Sequence, residues 1–433
     1  MSDALKTGGP IMSRLDWAAF VLVVSVALIE GWLFFGPGSE RRRSEADDVA
    51  PDRSVAMSLS EAMGGAMGGA DDPTGYARAL EPRTFEFPAD HGAHPGFRTE
   101  WWYVTSNLFG ADGRRFGVHF TIFRSALAPP DTVVGAPGGP WATNDVYMGH
   151  FAVADAEGGT FTESERFTRG GVGLAGTAAA PGTDRFRVWM DDWAMESLDA
   201  PEAGADGIFP LRLTARDPDR GTAIDLVVTP EKPVVLQGDA GLSQKGDEPG
   251  NASFYYSFTR LRTEGTVVSA GDTVKVTGRS WMDREWSTSA LDASQEGWDW
   301  FALQLDDGRD LMVYRLRGAD GSTDPLSEGV LVDADGARTR LAADAFELEV
   351  IDTWESPIDG ATYPSTWRVR VPSEDLDLRV RPVLRDQEMD VTVRYWEGAV
   401  DVLGGGGAAA AGASGPIGRG YVELTGYAGA VPP

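Results

Sequence analysis

The chain has 433 residues, of which 42% are hydrophobic and 10% aromatic, enough to bury sizeable cores and too apolar for a disordered chain. A net charge of −28, from 66 acidic against 38 basic residues, argues against nucleic acid as a partner, because phosphate contact needs a basic footprint. The absence of cysteine excludes disulfides, thiolate metal sites and cysteine nucleophiles. Only four basic residues are lysine (Lys6, Lys232, Lys245, Lys275). Such a composition suits a high-salt habitat, and equally the drift of a GC-rich genome.

Residues 1–38 form an N-terminal region around one apolar stretch, 17–36, broken only by Glu30. Its length is that of a transmembrane helix. No small-residue cleavage site follows closely, so it reads as an uncleaved anchor, with Met1 or Met12 as the start. Arg41, Arg42 and Arg43 follow the stretch and by the positive-inside rule favour a cytoplasmic body. Residues 39–80, with Met-Gly-Gly-Ala twice and many Asp, Ser and Ala, read as a disordered, flexible linker.

From Phe85 onward the pattern has period two with turn punctuation, which predicts an all-β body. In residues 115–124, Phe116, Val118, Phe120 and Ile122 share one face, and Gly117, His119, Thr121 and Phe123 the other. Asp112-Gly113, Asp307-Gly308, Asp320-Gly321 and Asp335-Gly336 are hairpin turn signals. An aromatic-led hairpin that starts at Trp102-Tyr103 and ends at Phe123-Arg124 is echoed by one from Trp300-Phe301 to Arg317. That weak repeat suggests two similar β-domains, and closed barrels are the economical way to hide their edges. The expected division is 81–270 for the first barrel and 271–433 for the second.

Several ordered blocks make the chain recognisable. Phe87-Pro88-Ala89-Asp90-His91-Gly92-Ala93-His94 and Arg98-Thr99-Glu100-Trp101-Trp102-Tyr103 are followed by Ser280-Trp281-Met282-Asp283-Arg284-Glu285-Trp286-Ser287, Tyr395-Trp396-Glu397-Gly398 and the block Gly420 to Tyr427. Together they resemble the hydroxyneurosporene synthase (carotenoid hydratase)/AttH-type family, whose members are often labelled secreted hydrolases. The resemblance covers nearly all of the body and implies two lipocalin-like β-barrels side by side. It also implies an envelope protein with its globular part on the outer side, against the arginine signal at 41–43. One departure is His119, where the family pattern has glutamine.

With 14 tryptophans the chain has more aromatic surface than a plain core needs, which favours an apolar small-molecule ligand, a lipid or an isoprenoid, and no cofactor is expected. Trp281, Asp283 and Glu285 alternate along one strand and so share a face. Two carboxyls beside a tryptophan in an apolar barrel would hold one proton at neutral pH. That is what adding water to an isoprenoid double bond requires, with Asp283 as the acid and Glu285 as its partner or base. Tyr255, Tyr256, Trp298, Trp300, His119 and His150 are the further candidate ligand contacts. Trp101 and Trp102 with Arg124 match the floor of a lipocalin barrel. His91 and His94 are weak metal candidates on a loop, and Lys245 is expected on an exposed linker. Three readings stay open: a hydratase, a non-catalytic lipid carrier serving an ABC-transporter system, and a metal-dependent hydrolase.

Overall fold

Hairpin turns organise the chain. In the computed structural model, residues 74–428 are described apart from 133–138, 140, 141, 180–184, 201, 203, 290, 293 and 406–414. The expected anchor and most of the expected linker lie outside the described residues. Among the described residues, no helix is long and apolar enough to cross a membrane. Gly113, Gly308, Gly321 and Gly336, the second residues of the four Asp-Gly pairs, all have positive φ (89°, 95°, 79° and 89°), the conformation that makes glycine the natural choice in these turns.

The first sheet holds β1 (Thr99–Gly110), β2 (Arg115–Ala126), β3 (Asp145–Asp155), β4 (Thr160–Arg169), β5 (Ala175–Ala178), β6 (Arg187–Met190), β7 (Trp193–Ser197), β8 (Leu211–Asp217), β9 (Thr222–Pro230), β10 (Val235–Leu236), β11 (Leu242–Gln244), β12 (Ala252–Ser269) and β13 (Asp272–Ser287). The second holds β14 (Gln295–Leu305), β15 (Asp310–Gly318), β16 (Glu328–Val332), β17 (Arg338–Ala342), β18 (Glu347–Glu355), β19 (Thr362–Val371), β20 (Leu376–Pro382), β21 (Glu388–Met389), β22 (Tyr395–Gly404) and β23 (Gly418–Leu424). The two barrel-like sheets lie side by side, and every strand pair is antiparallel. The division expected between 270 and 271 falls inside the first sheet, at the β12–β13 hairpin. β13 pairs with both β1 and β12, so the chain leaves the first sheet only after Ser287.

The sheets repeat one another in topology. In each, the opening strand lies between its hairpin partner and the closing strand: β2-β1-β13 in the first, β15-β14-β23 in the second. The strands that meet between the sheets are buried on both faces. On β2, Phe116, Val118, Phe120 and Ile122 fill the first barrel. Gly117, His119, Thr121 and Phe123 turn instead to the second sheet, and Phe301, Leu303, Leu311, Val313, Trp396 and Val422 fill the second barrel. The barrel interiors are therefore packed with side chains. The seam between them has an aromatic cluster of its own, which includes Tyr103, Tyr255, Trp281, Trp300, Tyr314 and Tyr421.

Polar locks hold the seam. Asp310 of the second sheet is fully buried and takes Arg260 Nη2 at 2.6 Å, Lys232 Nζ at 2.8 Å and the Thr259 hydroxyl at 2.9 Å, all from the first. Arg115 reaches across to Asp401 and to the Val400 carbonyl oxygen. Asn107 donates to the Gly420 carbonyl oxygen at 3.0 Å. Gly117 permits the close approach, since a Cβ there would stand 2.6 Å from Cβ of Ala399.

Removing one partner of a buried ion cluster leaves the others uncompensated, which costs about 3–5 kcal/mol. Asp310→Ala should lower unfolding stability by that order, read from urea denaturation. A loss under about 1 kcal/mol would show that the lock carries no weight, being then no larger than an exposed pair.

Candidate active site

Strand alternation decides what faces the seam. β13 runs between β1 and β12, so Asp283 stands opposite Tyr103 on one side and Ser257 on the other. Two residues on, Glu285 stands opposite Trp101 and Tyr255. In the second sheet β23 runs between β14 and β22, and Glu423 stands opposite Trp300 and Glu397. These faces enclose a cavity of about 170 Å³. Trp101, Tyr103, Tyr255, Trp298, Trp300 and Tyr314 supply its aromatic wall, and Asp283, Glu285, Glu397 and Glu423 its carboxyls.

Asp283 is buried and receives three hydrogen bonds. The Tyr255 hydroxyl donates to Oδ2 at 2.6 Å, while Trp281 Nε1 at 2.7 Å and the Ser257 hydroxyl donate to Oδ1. Trp300 Nε1 donates in turn to the Tyr255 oxygen at 3.2 Å. Burial raises the Asp283 pKa to about 7 against the pull of these donors, with the Glu285 charge adding to the rise. Burial likewise pushes Glu423 to about 8, opposed by the Trp298 indole N–H at 2.9 Å. Glu397 is raised well above the ordinary range by burial and by the facing Glu423, although the Tyr103 hydroxyl donates to it at 2.9 Å. Glu285 sits beside Lys245, 3.6 Å away, whose ammonium lies 4.1 Å from the Tyr314 ring centroid. The cavity thus offers neutral acids and an ion-paired carboxylate under aromatic faces, which is equipment for proton transfer to an apolar ligand.

Of the residues read from the sequence, Asp283, Glu285, Tyr255, Trp298, Trp300 and His119 border this cavity. Trp281 stands one layer behind, holding Asp283 and meeting Trp300 edge-on at 6.2 Å. Tyr256 does not border the cavity. As the strand neighbour of Tyr255 it points into the first barrel, where its hydroxyl lies 2.6 Å from His91 Nδ1. His150 is also set back, engaged with the Tyr395 hydroxyl at 2.8 Å and Glu165 at 3.1 Å. The same alternation separates Trp101 from Trp102: Trp102 packs in the barrel and Trp101 borders the cavity. The guanidinium over the Trp102 ring, 3.9 Å from its centroid, belongs to Arg284 and not to Arg124. Arg124 and Arg284 both bind Glu100 instead, and these guanidinium groups outweigh burial to hold that carboxyl well below its usual range.

His91 and His94 are committed to other partners. His91 meets Tyr256 and the Ala205 carbonyl oxygen, and burial drops its pKa to about 3. His94 stacks on Trp286 at 3.7 Å and reaches Asp90 and Glu100 at 3.2 Å each. Among the described residues, no group of three or more such side chains could hold a metal ion. Lys245, expected on an exposed linker, is a cavity residue. Glu397 and Glu423 were not singled out as site residues. The available signal was a glutamate within an otherwise apolar run on each of two strands, a placement rare for a carboxylate without a task.

The AttH-like family profile matches residues 78–427. An AttH-type protein from Nitrosomonas europaea, known as a crystal structure, is 33% identical, with a TM-score of 0.68 over 81% of this chain and 99% of its own. The crystal structure of kievitone hydratase from Nectria haematococca shares the fold at 16% identity, with a TM-score of 0.55 over 82% of this chain and 98% of its own. No curated protein matches in sequence.

Raised carboxyl pKa values link stability to pH. Between their unfolded values near 4 and their folded values of about 7 and 8, Asp283 and Glu423 bind a proton in the folded chain that the unfolded chain has released. The stability they add is complete below about pH 4 and is lost as pH rises through 7 and 8, at up to about 1.4 kcal/mol per unit and group. The thermal midpoint should therefore fall more steeply between pH 6 and 8 in the wild type than in Glu423→Gln. Parallel profiles for the two proteins would contradict the assignment of Glu423 as a neutral acid with a raised pKa.

Proposed function

Because this chain belongs to the AttH-like family and its seam holds buried acids under aromatic rings, we propose that it is a cofactor-free hydratase that adds water to a carbon–carbon double bond of an apolar, isoprenoid-type ligand. The observation that carries this reading is Asp283, an enclosed carboxyl poised to give its proton near neutral pH and oriented by three donors. A solved neighbour of the same fold is by name a hydratase. A non-catalytic carrier would use the aromatic cavity but has no need of a proton donor within it.

The reaction balances on these residues. The Asp283 O–H bond breaks and its proton joins the less substituted alkene carbon. The adjacent carbon becomes a carbocation, which the faces of Trp298 and Trp300 stabilise. A water oxygen then bonds to that carbon, and the proton it sheds passes to Glu285 and back to Asp283, so that one water is consumed and the acid is restored. Lys245 holds Glu285 in place by charge.

Asp283→Asn should lower hydration by at least about 100-fold, the usual scale of general-acid catalysis, read as oxygen-18 incorporation from labelled water into an isoprenoid alkene. Since the acid acts only when protonated, the wild-type rate should be flat below pH 7 and fall tenfold per unit above it. Undiminished incorporation by the variant would overturn the role of Asp283.

A further inference from the structure

Strand register locates the mouth of the cavity. Arg169, Val146, Ser125, Thr99, Ser287 and Ser253 are successive partners in one row across β4, β3, β2, β1, β13 and β12. Thr99, Ser253 and Ser287 line the cavity, and Arg98, Ser289 and Leu291, part-exposed just past that row, continue its wall outward. The cavity therefore opens at this end of the first sheet. The described chain enters at the same place. Ala77 donates its backbone N–H to the Gly96 carbonyl oxygen at 2.7 Å, and its own carbonyl oxygen accepts from the hydroxyl of Thr288, a residue of the cavity wall, at 2.6 Å. Residues 1–73, which include the apolar stretch 17–36, thus join the body at the cavity mouth.

Exposed apolar side chains gather at this end. Val172, 52% exposed, and Leu174 follow Arg169 in the connection from β4 to β5. Leu80, 64% exposed, lies against Gly250, just before β12 begins. Ile358, 44% exposed, belongs to the β18–β19 turn, whose Asp359 binds Arg394 beside the start of β22. The neighbouring Val393 packs on Phe123 and Met148, near the end of β2 and the start of β3, so that turn points the same way. The other exposed large apolar residues among those described are Phe167, near the end of β4, and Val350 and Ile351, along β18. Exposed apolar residues scattered singly are ordinary, but several at one end mark an interaction face. Val172 adds a sign of purpose. It is β-branched and has a φ of 48°, a left-handed conformation that strains it, so the loop shows this side chain to solvent against its own preference. At the opposite end, the turns after β1, β3, β12 and β14 expose Asp112, Glu157, Asp272 and Asp306.

We infer that the mouth end docks on a phospholipid bilayer, with Leu80, Val172, Leu174 and Ile358 immersed at its surface and the cavity opening onto it. The exposed Asp247, Glu248 and Glu296 share this end, so the matching surface is zwitterionic and not anionic. An apolar ligand then passes from lipid to cavity without exposing its surface to water. That route rests on the reading of the cavity as a site for an apolar ligand, whereas the docking itself does not.

The chain has no cysteine, so a single introduced one can be labelled alone. Val172→Cys, Ile358→Cys, Asp112→Cys and Asp272→Cys of the full chain, each carrying a nitrobenzoxadiazole fluorophore, are reconstituted into phosphatidylcholine vesicles containing a lipid spin-labelled on its acyl chain. The labels replacing Val172 and Ile358 should be quenched at least about threefold more than those replacing Asp112 and Asp272, since the stretch 17–36 is common to all four. Equal quenching at both ends, or none, would overturn the inference. So would labels at the apolar end that emit as if buried yet escape the lipid quencher, the result expected if the stretch 17–36 or a protein partner covers them. Mixing in phosphatidylglycerol should reduce the contrast, and an increase would overturn the choice of a zwitterionic surface. Asp283-dependent hydration without preferential quenching would leave the hydratase reading standing and remove this one, while preferential quenching without hydration would do the reverse.

Discussion

The seam between the two sheets is the constraint on which everything else rests. No single sheet makes the cavity: Asp283 and Glu285 come from the first, Glu397 and Glu423 from the second. Their low-dielectric surroundings last only while the sheets stay pressed together. Asp310 provides much of that closure by drawing Arg260, Lys232 and Thr259 of the first sheet onto one buried carboxylate. Breaking a buried ion cluster of this kind leaves charges uncompensated, so once both sheets are in place the cluster opposes their separation.

Carboxyls in this protein divide according to what lies beside them. Glu100 is as buried as any, yet Arg124 and Arg284 keep it ionised, and it serves as the centre of a structural knot at the end of the first barrel. Asp283 and Glu397 are as enclosed and Glu423 is half-buried beside them, but all three are held by hydroxyl and indole donors. Neutral donors steady a carboxylate less than a guanidinium does, so burial wins and the proton stays. Identical functional groups at similar depth thus become scaffold in one place and acid in another.

Much of the fold was legible in the sequence because strands advertise their faces. The alternation in residues 115–124 divided β2 into its two faces without saying which fills a barrel, and the paired aromatic hairpins anticipated two β-domains. What the opposite side faces was not legible, since period two says that a face is buried without saying by what. This is why a barrel interior and the groove between barrels both stayed open for the aromatic clusters, and the structure places Tyr255, Trp298 and Trp300 at the groove. Asp283 and Glu285 could be read locally because they share a strand. Glu397 and Glu423 join them only through a pairing of distant segments, 112 or more residues on from Glu285. Where neighbours were grouped together, as with Tyr255-Tyr256 and Trp101-Trp102, the strand rule itself separates them.

The matching topology reaches into the site. Asp283 on β13 and Glu423 on β23 each lie on the closing strand of their sheet, and each stands opposite an aromatic of the opening strand, Tyr103 or Trp300. A barrel docked on an identical copy of itself would set two identical acids face to face, with the same donors and the same affinity for a proton. Joining the halves in one polypeptide lifts that symmetry. One half has an aspartate gripped by a tyrosine, a serine and a tryptophan, and the other a glutamate couple. The cavity between them therefore has two chemically distinct ends, which would set a direction for anything that lies across it.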